Sequence, residues 1–320
     1  MIDKDTKIVC LGGGIGTVNL IKGLKEYSEH ITVIISTADD GGSAGRLRRL
    51  YNITPPGDAI SCLAALLNGK DSENLAKFLT YRFPGDRYGK DEELSGQKLG
   101  SLMLVAARDI TGSFEEALLY LKHMFHACGS ILPATNENLK LSAVTKDGVH
   151  VDSEEKIDLG KYDGVRVLES VSIHPLNPTV PQSVMKALSD ADCIIAGPGD
   201  LYTTVLPILL VSKIKEYLVQ TPKPKMYVLN VANKPFETRG YTSSDFISAI
   251  EKHLGRFPFS YVIANNNTSV VIPQKFHYQY VENDLDEAQS FTLVTSDLVD
   301  KTFPLYHDST KLASLVANAI

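Results

Sequence analysis

Cysteine is scarce and scattered in this chain. Four are present among 320 residues, Cys10, Cys62, Cys128 and Cys193, and no two form a C-x-x-C pair. That spacing argues against a thiolate metal site and a disulfide framework, and it predicts reduced thiols in a cytoplasmic protein. A basic surplus is missing too. The net charge is −6 and the pI near 5.8, so no nucleic-acid partner is expected. No apolar run is long enough to span a bilayer. The opening stretch, MIDKDTKIVCLGGG, has neither an apolar h-region nor a small-residue cleavage site, so no signal peptide is expected. No internal repeat or low-complexity linker interrupts the sequence.

What is present is ordinary globular composition, 43% hydrophobic and 22% charged, with ample length for a large core. Strand-like runs alternate with helix-periodic ones. Strands are expected over 7–11, 31–36, 193–196, 226–231 and 261–264. Helices are expected over 18–27, 58–67, 73–81, 100–110, 114–128, 181–188, 244–254 and 310–320. This pattern predicts an α/β fold, with a mainly parallel Rossmann-like sheet covered on both faces in three layers. The character turns strand-rich over 131–178. The reading is one domain, 1–320, with core segments 1–130 and 179–320 and a smaller β-rich element inserted at 131–178.

Such sheets bind ligands at the carboxyl ends of their strands. After the first strand comes Gly12-Gly13-Gly14-Ile15-Gly16-Thr17, and after the second Thr37-Ala38-Asp39-Asp40-Gly41-Gly42. Gly197-Pro198-Gly199-Asp200, Asn230, Asn233 and Asn265-Asn266-Asn267 follow the later ones. Glycines, carboxylates and amides therefore gather on one expected edge. The glycine loop lies between a strand and a helix, where backbone N–H groups can approach a phosphate. Gly12 and Gly14 fit the first two glycines of G-x-G-x-x-G, with Thr17 at the third. No Lys-Ser/Thr follows, so this is not a Walker A loop.

Asp39 has three readings. It suits a ribose-binding acid in an NAD(P) oxidoreductase. It also suits an Asx-turn. With Asp40 it can hold a magnesium ion that bridges phosphate oxygens. Arg46, Arg48 and Arg49 follow, as phosphate partners or as a solvated helix face. Gly41-Gly42-Ser43-Ala44-Gly45 also matches G-x-S-x-G, the turn of a serine hydrolase. The acids just before Ser43 would oppose its oxyanion. Asp58 can cap the helix that follows Pro-Pro-Gly. His123 and His126 share a helix face without an acidic partner, and read as a surface pair rather than a zinc site.

The combination of GGGIGTVNLIKGLK, STADDGGSAGRLRR, PPGDAISCLAAL, GPGDLYTTVLPILLV and HDSTKLA resembles the CofD/YvcK family from the first strand to the last helix. The resemblance implies a nucleotide at the glycine loop of a Rossmann-like core. It implies one of two activities. One is a magnesium-dependent 2-phospho-L-lactate transferase using a GDP-linked donor. The other is a gluconeogenesis factor that binds UDP-sugars and acts on cell shape and wall synthesis. Length and the GRLRR segment look more like the second group. On this resemblance Asp39 and Asp40 face the metal and the acceptor, and are catalytic if there is turnover. The ligand set is then Gly12, Gly13, Gly14, Gly16, Thr17, Gly41, Gly42, Ser43, Arg46, Asp58, Gly197, Gly199, Asp200 and Asn230. A homodimer stays open, as does a sensor that binds without turnover. The chain departs from the family pattern at Ile15, Ile60, Gln97, Ser101 and Tyr306. Each departure removes a hydroxyl, cation or amide that could meet a phosphate or sugar.

Overall fold

The computed structural model describes residues 2–89, 94–165, 167–286 and 290–319. The strands are β1 (Lys7–Leu11), β2 (His30–Ile35), β3 (Ser130–Pro133), β4 (Lys140–Thr145), β5 (His150–Asp152), β6 (Leu168–His174), β7 (Cys193–Ala196), β8 (Lys225–Val228), β9 (Ala232–Asn233), β10 (Tyr261–Asn265), β11 (Gln279–Tyr280) and β12 (Thr292–Ser296). Seven make one parallel sheet in the order β12-β10-β8-β7-β1-β2-β3. The expected α/β sandwich is therefore the observed one.

Alternation along each strand sends successive side chains to opposite faces. Ile8 and Cys10 of β1 enter one core, while Val9 and Leu11 enter the other. Met226 and Val228 of β8 join the first, and Tyr227 the second. All four residues of β7 are buried, as a strand covered on both faces requires. The first core is closed by α1 (Gly14–Leu24), α3 (Gly57–Ala65), α5 (Leu99–Thr111), α6 (Phe114–Met124) and α12 (Ser309–Ala319). The second is closed by α8 (Gln182–Asp190), α9 (Leu206–Leu209), α10 (Ser212–Gln220) and α11 (Ser243–Leu254). Helices α2 (Gly42–Tyr51) and α4 (Ser72–Thr80) border the first core, and α7 (Glu154–Asp158) lies within the insertion. Helix α12 packs directly on α1: a β-carbon on Gly23 would meet Ser309 O at 2.3 Å. None of these helices is long and apolar enough to cross a membrane.

Two expectations need correction. The segment 130–133 pairs in parallel with β2 and is an edge strand of the main sheet. The separate antiparallel sheet, β5-β4-β6, thus begins at Lys140 rather than at 131. It packs Leu141, Val151, Leu168 and Ile173 into the second core. The far edge strand β12 was not expected at all. TLVTS is only partly buried and carries no apolar run, so its pairing with β10 left no periodic trace.

Candidate functional site

The carboxyl ends of β1, β2, β7 and β8 open into a cleft of about 1700 Å³. Its floor is two loops locked together. Thr17 Oγ1 donates to Pro198 O at 3.1 Å. Gly16 packs so closely that a β-carbon there would stand 2.6 Å from the same carbonyl. Gly199 N donates to Asn230 Oδ1 at 3.1 Å. Gly12 lies behind the loop against Thr17 Oγ1, and Gly197 lies beneath the second loop against Val228 O. Gly12, Thr17 and Gly197 therefore shape the floor without lining it. Gly13, Gly14, Gly16, Gly199, Asp200 and Asn230 line it. Gly14 has φ +66 and open space where a side chain would be, a conformation that only glycine adopts freely.

The paired acids are separated. Asp39 lines the cleft, and its Oδ1 accepts the Gly41 N–H at 2.9 Å. Asp40 turns away: its Oδ1 accepts from Ser153 Oγ at 3.0 Å and Glu155 N at 2.9 Å. It thus satisfies an orphan donor at the start of α7. Adjacent in sequence, the two acids therefore face different surroundings. Asp40→Ala is expected to lower stability by about 1 kcal/mol, as a lost cap does. The midpoint of urea unfolding reads this, and an unchanged midpoint would contradict the capping role.

Asp58 takes the place expected for Asp40. It lines the cleft beside Asp39, and a β-carbon on Gly13 would stand 2.2 Å from its Oδ2. Burial, reinforced by Asp58 and then by Asp40 and Asp158, pushes the Asp39 carboxyl up to about 7. Burial also raises Asp58, against the pull of Lys98 and the Gly14 N–H. The amide of Gly14, which opens α1, is thus turned to a carboxylate.

The arginines of α2 do not line the cleft and donate to main-chain carbonyls. Arg46 is buried and donates to Gly89 O at 2.5 Å and to Ser95 O. Arg48 ties down Thr37 O, Asp39 O and Leu139 O, and Arg49 holds Asp40 O. Gly41 lines a side cavity of about 160 Å³, and Gly42 (φ +50) donates to Glu155 Oε2 at 3.3 Å. Ser43 lines the cleft, but its Oγ accepts from Arg82 Nη1 at 3.1 Å. A guanidinium is no general base, so the hydrolase reading loses its activator. His123 and His126 stand apart from the cleft.

The cations that line the cleft are Lys22, Lys77, Arg82, Arg87, Lys98, Lys234 and Arg239. Sequence reasoning missed them, although Arg82 and Arg87 flank a Pro-Gly turn. Lys234 lies amid Asp158, Asp200 at 2.5 Å and Glu237 at 3.3 Å. Burial acts to lower it, yet the three carboxylates hold it well above the ordinary lysine value. Glu237 is wholly buried, and burial pushes it up to about 7 despite Lys234. The carboxylate oxygens of Asp158, Asp200 and Glu237 lie within 4.8 Å of one another. The ammonium already supplies the cation there. Among the departures from the family pattern, Ser101, Tyr306 and the half-exposed Ile15 line the cleft, while Ile60 and Gln97 are buried away from it.

The family model described as 2-phospho-L-lactate transferase CofD matches residues 8–299. The gluconeogenesis factor of Bacillus subtilis is 36% identical over 325 residues, covering 98% of each chain. That of Listeria monocytogenes is 34% identical over 268 residues, covering 83% of this chain and 80% of the relative. A crystal structure of a UPF0052-family protein from Bacillus halodurans superposes with a TM-score of 0.86 at 31% identity, covering 98% of this chain and 99% of that one.

Proposed function

The chain belongs to the CofD family, and from that premise we propose a nucleotide-sugar-binding protein of the gluconeogenesis-factor kind. Its role would be in cell-shape and wall regulation during gluconeogenic growth, with UDP-N-acetylglucosamine as the first ligand to test. One observation carries the binding claim. The cleft carries both signs of charge, with Asp39, Asp58 and Asp200 as acids and Arg82, Arg87 and Lys98 as cations, around a floor of glycine loops. A diphosphate needs the cations, and a sugar or ribose hydroxyl needs carboxylate acceptors. The volume exceeds that of an ordinary small-ligand pocket, which suits an extended ligand.

Magnesium fits the acid side. Asp39 and Asp58 are hard oxygen donors facing one space, and the raised Asp39 marks carboxylates that lack a neutralising cation. When bound, the ion would be held by Asp39 and Asp58 and would supply positive charge to the ligand. Asp39 also favours a second reading, a magnesium-dependent phospholactate transferase-like enzyme. A carboxylate of pKa about 7 can take a proton from an attacking hydroxyl. We favour binding over turnover because Ser101 and Tyr306 offer the cleft only neutral groups.

Calorimetry against UDP-N-acetylglucosamine, GDP, NAD and NADP, each with and without magnesium, tests this reading. The expected result is selective UDP-sugar binding that strengthens with magnesium in the wild type and weakens at least tenfold in Asp39→Asn. Selective NAD or NADP binding would favour the oxidoreductase, and silence towards all four would end the proposal. Product formed from a phospholactyl-guanosine donor and a deazaflavin acceptor would establish the enzyme instead.

A further inference from the structure

We propose that Arg82, Arg87 and Lys98 form an oxyanion subsite at the mouth of α2, and that the diphosphate of the ligand inferred above rests there rather than on the glycine loop. The proposal deepens the nucleotide-sugar reading by assigning its anionic part to residues outside the glycine loop and the acidic turn.

All three side chains line the cleft. Arg82 Nη1 donates to Ser43 Oγ at 3.1 Å and to Gly96 O, which fixes the guanidinium beside the first turn of α2. Arg87 lies over the same turn. A β-carbon on Gly42 would stand 3.3 Å from its Nε and 3.5 Å from its Nη2. Lys98 Nζ donates to Gly57 O at 3.1 Å and Ser61 Oγ at 2.6 Å. An ammonium has three donors, so one is left for the cleft.

Among the described residues, none of the three makes an ion pair. They also oppose one another. Burial lowers Lys98, and Arg82 and Arg87 push it the same way while Asp58 resists. The helix beneath adds its positive end. The amides of Ser43 and Ala44 open this ten-residue helix and have no acceptor among the described residues, and both residues line the cleft. Three like charges and a helix start together make a place receptive to an anion.

The glycine loop offers the opposite field. Its Gly14 N–H faces the Asp58 carboxylate, which also stands over Gly13. Asp39, Asp158 and Asp200 line the same region, and Arg87 lines the side cavity it shares with them. An oxyanion placed there would meet several negative charges and one amide already engaged. The cations and the acids of the cleft thus divide the ligand, with its phosphates on Arg82, Arg87 and Lys98 and its hydroxyls or a cation on the acids.

The test titrates inorganic pyrophosphate and, separately, UDP-N-acetylglucosamine into the wild type, Arg87→Gln, Lys98→Gln and Gly14→Asn, by calorimetry at low salt. Arg87 is exposed, so its variant should keep the wild-type melting temperature and report binding alone. The expected result is pyrophosphate binding by the wild type, at least tenfold weaker in both cation variants and steeply weakened by salt. Loss of binding in Gly14→Asn with full binding in Arg87→Gln would put the anion on the glycine loop and overturn the assignment. A wild type that ignores pyrophosphate would overturn it too. If the sugar nucleotide binds equally well to wild type and Arg87→Gln, the subsite falls and the nucleotide-sugar reading stands. If pyrophosphate binding depends on Arg87 but the sugar nucleotide does not bind, the subsite stands and that reading falls.

Discussion

Gly16→Val is expected to lower stability by about 3 kcal/mol and to abolish ligand binding together with it. A β-carbon at this position would stand 2.6 Å from Pro198 O and 2.9 Å from Pro198 C. Both are backbone atoms, so no side chain can swing aside. The added bulk must drive the glycine loop from the GPGD turn, and the Thr17–Pro198 bond between them is lost as well. The two loops end adjacent strands, β1 and β7, so the damage spreads into the centre of the sheet. Urea unfolding measures the stability term and calorimetry the binding. A variant with the wild-type midpoint would mean that the loops do not meet as described.

Lys234→Met has a comparable effect from a different cause. The ammonium compensates Asp158, Asp200 and a wholly buried Glu237. Removing one partner of a buried ionic group leaves uncompensated charge, which costs about 3–5 kcal/mol. The loss should depend on pH, with a definite sign. Glu237 has its carboxyl raised to about 7 from an ordinary 4.5. The folded state therefore holds a proton that the unfolded chain releases. Stability from this group is fullest in acid and falls as pH rises from about 4.5 to about 7. Without the lysine the carboxyl moves higher still, so the fall extends to more alkaline pH. Thermal melts of variant and wild type should differ more at pH 8 than at pH 6. An equal difference at both would show that the carboxylates are not the source of the loss.

The sheet was legible because its inner strands are short apolar runs ending in glycine or amide turns, and the strand-end rule then located the cleft. Gly13, Gly14, Asp39, Asp200 and Asn230 followed from that rule alone. Edges were harder. SILP of β3 reads like the inserted strands beside it, and only its pairing with β2 assigns it to the core. The arginines misled for a related reason. Sequence displays the charge of Arg46 but not the destination of its donors, which are Gly89 O and Ser95 O. Arg82, Arg87 and Lys98 left no trace because they sit in a turn-rich stretch without periodicity, brought to α2 by tertiary packing. Asp58 was read first as a helix cap. It is the second residue of α3, and its carboxylate is turned to the glycine loop instead.

The place of β1 at the middle of the sheet, with α12 lying on α1, fixes an order of events during synthesis. The first strand pairs early with β2, yet its other neighbour, beginning at Cys193, lies 185 positions further along than Ile8. Closing that span costs roughly 2 kcal/mol more than closing the short β1–β2 connection. The face that holds α1 stays uncovered until α12 leaves the ribosome, because Gly23 and Ala313 close that seam. A nascent chain released before residue 309 should therefore expose the Gly23 face of α1. It should be a substrate for chaperones and proteases rather than a smaller working protein.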